Sequence, residues 1–204
     1  MAFNQTGFYY FCRLYIMNHQ EVLNRLQEGN SRFVADKLNS KLQDSVRRDE
    51  LTSGQQPHTI VLSCADSRVV PEFAFDAGLG ELFVLRVAGN VANTSTIASI
   101  EYAVAHCGSR VIVVLGHQSC GAVTAAMAGG DNGHNLNHLL AHITPAISAA
   151  PEGASINDVV KVNAEKTVED LSSRSTIIGD AVASGSVKIV SAYYNLDSGK
   201  VDFI

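Results

Sequence analysis

Apolar residues along this chain fall into two kinds of spacing, and their alternation predicts the architecture. Short unbroken runs rich in Val, Ile and Leu occupy residues 59–63, 82–87, 111–115 and 187–194, and residues 200–204 close the chain. Runs of that length without a polar alternate position suit strands covered on both faces, as in a parallel sheet. Between them, at residues 94–107, 119–127, 135–149, 155–171 and a short stretch near 177–183, apolar positions recur at helical spacing. Strand and helix in alternation predict an α/β fold with a central, mainly parallel sheet and helices on both faces. Asn195-Leu196-Asp197-Ser198-Gly199 has the composition of a hairpin turn, so the last strand is expected at an antiparallel edge.

Ahead of the first strand, Val22, Leu23, Leu26, Phe33, Val34 and Leu38 keep helical spacing through residues 19–38, interrupted at Gly29-Asn30. This arm has no early partner in sequence, so its apolar face is expected to pack on the body of the domain or on a second copy of the chain. Residues 40–56 are polar, hold Gly54 and precede Pro57, and read as connector. The opening stretch contains Phe8-Tyr9-Tyr10-Phe11-Cys12, far shorter than a membrane span, and lacks the basic start and the small-residue cleavage site of a secretory signal. Residues 1–16 are expected to be an extra, flexible arm, with Met17 a candidate start, and residues 17–204 a single catalytic domain.

Composition narrows the class. At 204 residues, 46% hydrophobic and 17% charged, the chain has material for one domain with a sizeable core. Its 15 basic and 20 acidic residues give a formal charge of -5 with no basic block, so the footprint of a nucleic-acid partner is missing, and a membrane partner is not expected. Four cysteines are too few for a disulfide scaffold, which favours a reducing, cytoplasmic setting.

Two of those cysteines carry the candidate chemistry. Cys64 follows the first apolar run, and His117 and Cys120 follow the third. In open α/β sheets the crevice beyond the carboxyl ends of the strands is where sites form, so these distant positions are expected to converge. Two sulfurs and one imidazole suit Zn²⁺, and three protein ligands leave a fourth position open, the pattern of a catalytic centre. Gly116 and Gly121 are expected to let the backbone come close to the metal. Two thiolates and a neutral imidazole bring the local charge near zero, so bound water is less acidified than under three histidines, and turnover is expected to favour alkaline pH. Asp66 and Arg68 stand two and four residues after Cys64 and, in extended chain, share its side. A guanidinium holds a carboxylate by two parallel hydrogen bonds, so Arg68 can keep Asp66 ionised and aimed.

Blander readings apply elsewhere. Position 70 is Val, where a cysteine-phosphatase loop needs arginine, and no Gly-rich phosphate cradle intervenes. His134, His138 and His142 recur every four residues, but Leu136, Leu139, Leu140 and Ile143 interleave as a core face, so the histidines read as a solvated stripe. Cys107 reads as a buried hydrophobe, Cys12 as an exposed thiol, and Asn90 and Asn93 as turn residues.

With Cys64-x-Asp66-x-Arg68 upstream of His117-x-x-Cys120-Gly121, the chain resembles the β-class carbonic anhydrases from about Met17 to its C-terminus. Supporting stretches are Leu26-Gln27-Glu28-Gly29-Asn30 with Arg32-Phe33, Gly80-Glu81-Leu82-Phe83-Val84 with Arg86, and Ser99-Ile100-Glu101-Tyr102-Ala103. The resemblance implies reversible hydration of CO₂ to bicarbonate and a proton by zinc-bound hydroxide. One Zn²⁺ per chain would sit on Cys64, His117 and Cys120, beside Asp66 and Arg68 as an orienting dyad. It also implies that the Gln55 amide and the Gly121 N–H hydrogen-bond substrate oxygen, and that Phe83, Ala88 and Tyr102 line a small apolar CO₂ pocket. The absence of tryptophan favours the open, plant-like subtype. Members of this class assemble as homodimers or tetramers, with the helical arm over a neighbour and the cleft at the dimer interface; residues 1–16 lie outside the likeness. Hydrolysis of CS₂ or COS on the same zinc core, or a catalytically silent zinc-stabilised assembly protein, are the competing functions.

Overall fold

In the computed structural model, which describes residues 17–204, helix α1 runs over His19–Val34. Asn18 and Glu21 cap it reciprocally, each side chain bonding the other's backbone N–H. The expected interruption at Gly29-Asn30 is absent, because both residues are used for packing instead of breaking the helix. A Cβ on Gly29 would lie 1.9 Å from the Phe75 carbonyl oxygen. The Asn30 side chain is buried and donates to the Ala74 and Gly199 carbonyls while accepting from Val201 N–H. The connector also departs from expectation, since Asp44 caps a short helix α2, Ser45–Glu50, within it.

The sheet begins with β1, Thr59–Ser63, followed by the short helix α3, Pro71–Ala74, and β2, Leu82–Arg86. Helix α4, Thr94–His106, starts at Asn93, whose side chain caps Thr96 N–H, and leads into β3, Val111–His117. Then come α5, Gly121–Ala128, α6, His134–Ala141, and α7, Thr144–Ala149. The single helix expected over 135–149 is thus two. Pro145 in the first turn of α7 has no N–H to return to the Ala141 carbonyl, so the helical hydrogen-bond ladder breaks there and the chain turns at His142 and Ile143. Helix α8, Ile156–Arg174, α9, Thr176–Ala183, and strands β4, Lys188–Tyr194, and β5, Val201–Phe203, complete the chain.

The five strands lie in the order β2-β1-β3-β4-β5, parallel except for β5, which pairs antiparallel with β4 through the turn expected at 195–199. Both faces are covered, which is why β1 and β3 read as unalternated apolar runs. Ile60, Leu62, Ile112 and Val114 pack with Ile100 of α4, Leu171 of α8 and Ile178 of α9. Val61, Val113 and Leu115 face the other side, against Val22 and Leu26 of α1 and Phe75 beyond α3. A third cluster, holding Cys64, Cys120, Ile143 and Val160, joins α5 to α8 at the carboxyl ends of β1 and β3. No helix among the described residues is long and apolar enough to cross a membrane.

Candidate active site

Register brings the distant donors together. Ser63 of β1 lies beside Leu115 of β3. One residue further Cys64 leaves its strand, two residues further His117 ends β3, and Cys120 sits just before α5. The ligand atoms of Cys64, His117 and Cys120 all lie within 4.8 Å of one another, and all three residues are buried. The two sulfurs are 4.0 Å apart. Zn–S bonds of about 2.3 Å at a tetrahedral angle would set them about 3.8 Å apart. His117 Nδ1 is 2.9 Å from the Gln118 carbonyl oxygen, which only accepts, so the ring proton sits on Nδ1 and Nε2 keeps its lone pair. That Nε2 is buried with no hydrogen-bond partner, a costly state for a polar atom unless it serves as a ligand. The donor set therefore fits zinc, with three protein ligands.

The Cys120 thiol's hydrogen bond, with the adjacent His117 ring and then the N–H groups of Gly89 and Asp66, favours the thiolate at Cys64 against the effect of burial. Cys120 is pushed up, first by its bond to Cys64 and then by burial. Gly89 N–H lies 3.3 Å from Cys64 Sγ, and the Gly89 carbonyl in turn accepts from Asn163 Nδ2 at 2.9 Å.

Asp66 and Arg68 meet as expected, though not in extended chain. Val69 N–H bonds the Asp66 carbonyl and closes a turn, which folds the two side chains onto each other. Arg68 Nε donates to Asp66 Oδ1 at 2.9 Å and Nη2 to Oδ2 at 2.7 Å. These bonds hold the Asp66 carboxyl well below the usual carboxylate range, and Arg68 is raised in return. Asp66 Oδ2 lies 3.9 Å from His117 Nε2, so the carboxylate borders the donor cluster. Arg86 braces the turn from β2, donating to the Cys64 carbonyl at 3.1 Å and the Asp66 carbonyl at 2.5 Å.

Ala88 opens the single turn Ala88–Asn90 beside this cluster, and Gly121 begins α5 next to Cys120. Gln55 and Tyr102 lie elsewhere in the chain, lining one cleft with Leu51, His106 and Cys107, and Phe83 is stacked near Tyr102 with ring centroids 6.4 Å apart. Phe83 pairs with Ile60, so it sits four residues, about 13 Å of strand, short of Cys64. One chain thus gathers the ligands and the dyad but not the Gln55, Phe83 and Tyr102 group. Gly116 has a second use in packing. A Cβ there would lie 2.8 Å from Val160 Cγ1, so this glycine lets α8 press on β3, while nothing lies within 4 Å of a Cβ on Gly121.

His134 and His138 are exposed and His142 half-buried, with Leu140 and Ile143 beneath them, as the solvated stripe predicts. Cys107 is buried; Cys12 lies outside the described residues. Sequence reasoning gave Arg86, Gly89 and Asn163 no role in the site. A buried polar residue on the inner face of α8 was the one available signal, and Gly89 offers no side chain to read.

The carbonic anhydrase family model matches residues 59–201. Carbonic anhydrase 2 of Mycobacterium tuberculosis is 39% identical over 86% of this chain and 87% of its own. The carbonic anhydrase of Mycolicibacterium smegmatis is 38% identical over 87% of this chain and 89% of its own. Among solved structures, the Coccomyxa β-carbonic anhydrase in complex with acetazolamide superposes with a TM-score of 0.72 at 28% identity, covering 89% of this chain and 86% of that one.

Proposed function

The chain belongs to the β-carbonic anhydrase family, and from that premise we propose how its residues carry out the zinc-dependent, reversible hydration of CO₂ to bicarbonate and a proton. Cys64, His117 and Cys120 hold the metal; the observation that carries this is their convergence within 4.8 Å around the unpartnered His117 Nε2. Zinc supplies Lewis acidity that makes water a nucleophile near neutral pH. The chain's own residues then orient the reactants. Arg68, by its two bonds, keeps Asp66 ionised and held at the edge of the donor cluster, so Asp66 Oδ2 can accept a hydrogen bond from the attacking oxygen and fix its lone pair toward CO₂. This paired arrangement supports the open, plant-like subtype. Ala88 supplies apolar wall, and Gly121 N–H, at the start of α5, donates to product oxygen.

Gln55, Phe83 and Tyr102 are the remaining pocket residues, and their separation from the cluster within one chain supports a homodimer or tetramer in which a second copy presents them to the metal. Tyr102 is 51% exposed and Phe73 53%, apolar surface for such a partner to cover. With Cys64 and Cys120 assigned to the metal, the unpaired thiol of Cys107 supports a cytoplasmic setting.

The test is stopped-flow CO₂ hydration with zinc content measured in parallel, and with CS₂ and COS as alternative substrates. Asp66→Asn is expected to keep its zinc and lose CO₂ turnover by about 10²-fold or more. Cys64→Ser is expected to lose the metal itself. Full activity in Asp66→Asn removes the carboxylate from the mechanism, and turnover of CS₂ or COS in preference to CO₂ reassigns the substrate.

A further inference from the structure

The hydrogen bond into the Cys64 sulfur comes from the Gly89 N–H, inside a turn that Asn90 N–H closes on the Val87 carbonyl at 2.9 Å. Gly89 has φ +71° and ψ 14°, left-handed backbone that a glycine enters and leaves freely. Two contacts pin it. Ile143 and Ala122 close over it, so that a Cβ at position 89 would lie 2.8 Å from Ile143 Cδ1 and 3.3 Å from Ala122 Cβ. Asn163, 2% exposed on α8, donates from Nδ2 to its carbonyl at 2.9 Å. A neutral amide buried this deeply is expensive unless its bond matters to the fold or the site. Helix α8 is itself seated on β3 through Val160, which rests on Gly116 beside His117. Val160 and Asn163 are three residues apart and share one helix face. One face of α8 therefore bears on the strand end that carries one ligand and on the turn that hydrogen-bonds another.

We propose that Asn163 is a positioning residue for Cys64: by holding the Gly89 carbonyl, in the peptide that follows, it restrains φ and ψ of this glycine and with them the N–H that donates to the Cys64 sulfur, and so sets how strongly that thiolate donates to zinc. A hydrogen bond to a thiolate withdraws electron density from sulfur and orients its lone pairs. With Asn163 in place the sulfur is directed and its donation moderated, which preserves the Lewis acidity of the metal. Without it the Gly89–Asn90 peptide keeps only the Asn90 N–H bond to the Val87 carbonyl, Gly89 gains freedom about its own φ and ψ, and its N–H is no longer held on the sulfur. This inference rests on the zinc reading of the site, so its test separates the two.

The experiment replaces zinc by cobalt(II) and records the thiolate-to-cobalt charge-transfer band, with zinc release to a chelator measured on the zinc-loaded protein. Asn163→Leu keeps the volume without the donor, and Asn163→Asp puts an acceptor where the donor stood. Leu171→Ala, a buried position on the same helix that packs in the cluster with Ile100 and Ile178 instead of with the ligands, is the control for lost packing alone. Wild type and Leu171→Ala are expected to share one band and one release rate. The Asn163 variants are expected to shift the band and to release zinc about 10- to 100-fold faster. A folded Asn163→Leu or Asn163→Asp with the wild-type band and release rate overturns the role of Asn163 and leaves the zinc site standing. A wild-type protein with no such band overturns the zinc reading, and this inference with it.

Discussion

His58 and His117 each carry a buried Nε2 without a hydrogen-bond partner, yet their surroundings give them different fates. The His117 nitrogen faces two sulfurs, all within 4.8 Å of one another, and fits a metal. His58 sits at the entrance to β1 with Nδ1 2.7 Å from Thr59 Oγ1, and burial, then the Arg25 charge, lower its pKa from 6.5 to about 4, with Glu81 opposing. Between those values the unfolded chain takes up a proton that the folded chain refuses. The stability fully present above about pH 6.5 is therefore lost progressively as pH falls toward about 4. Urea unfolding across that range is expected to show His58→Gln losing less stability on acidification than wild type; parallel curves would remove His58 from the acid response. Of the residues that make the site, Cys64, Asp66, Arg68, His117 and Cys120 were legible because reactive side chains stood at the ends of apolar runs. Gly89 was not, since its contribution is a backbone N–H, and Asn163 was not, since its partner lies 74 residues away.

At the scale of elements, β1 was legible to the residue and the other strands to within about two, because burial on both faces leaves long apolar runs with sharp polar ends. Helices were less so. Gly29-Asn30 carries the signature of a break, and no local rule reveals that the glycine admits the Phe75 carbonyl and the asparagine ties three elements together. That tie makes a prediction. Asn30→Ala leaves two carbonyls and one N–H of the α3 and β5 neighbourhoods without their partner, so it is expected to cost about 2–4 kcal/mol in equilibrium unfolding while zinc content stays at wild-type level. A loss below about 0.5 kcal/mol would show that the arm is held by its apolar face alone.

At the scale of the molecule, the ligands and the Gln55, Phe83 and Tyr102 group lie at different places in one chain; the spacing of the motifs does not show this, and only the resemblance, with its cleft at a dimer interface, anticipates it. A shared site across two copies has a distinctive outcome. Gln55→Ala and Cys64→Ser are each expected to be poorly active alone. Mixed, unfolded and refolded together, they form mixed dimers in which one site of two is intact, restoring about a quarter of wild-type activity. Mixtures no better than the sum of their parts would place the whole site within one chain.

The pairing of Ser63 with Leu115 also determines when the metal centre comes into existence. His117 and Cys120 are neighbours in sequence and can approach each other in a nascent chain, but Cys64 joins them only when β1 has docked in register along β3, a non-local event of the slow kind. A partly folded chain offers a metal two donors, and the finished sheet offers three. Tight zinc capture therefore follows sheet assembly, so metal content reports how many molecules have completed their folding.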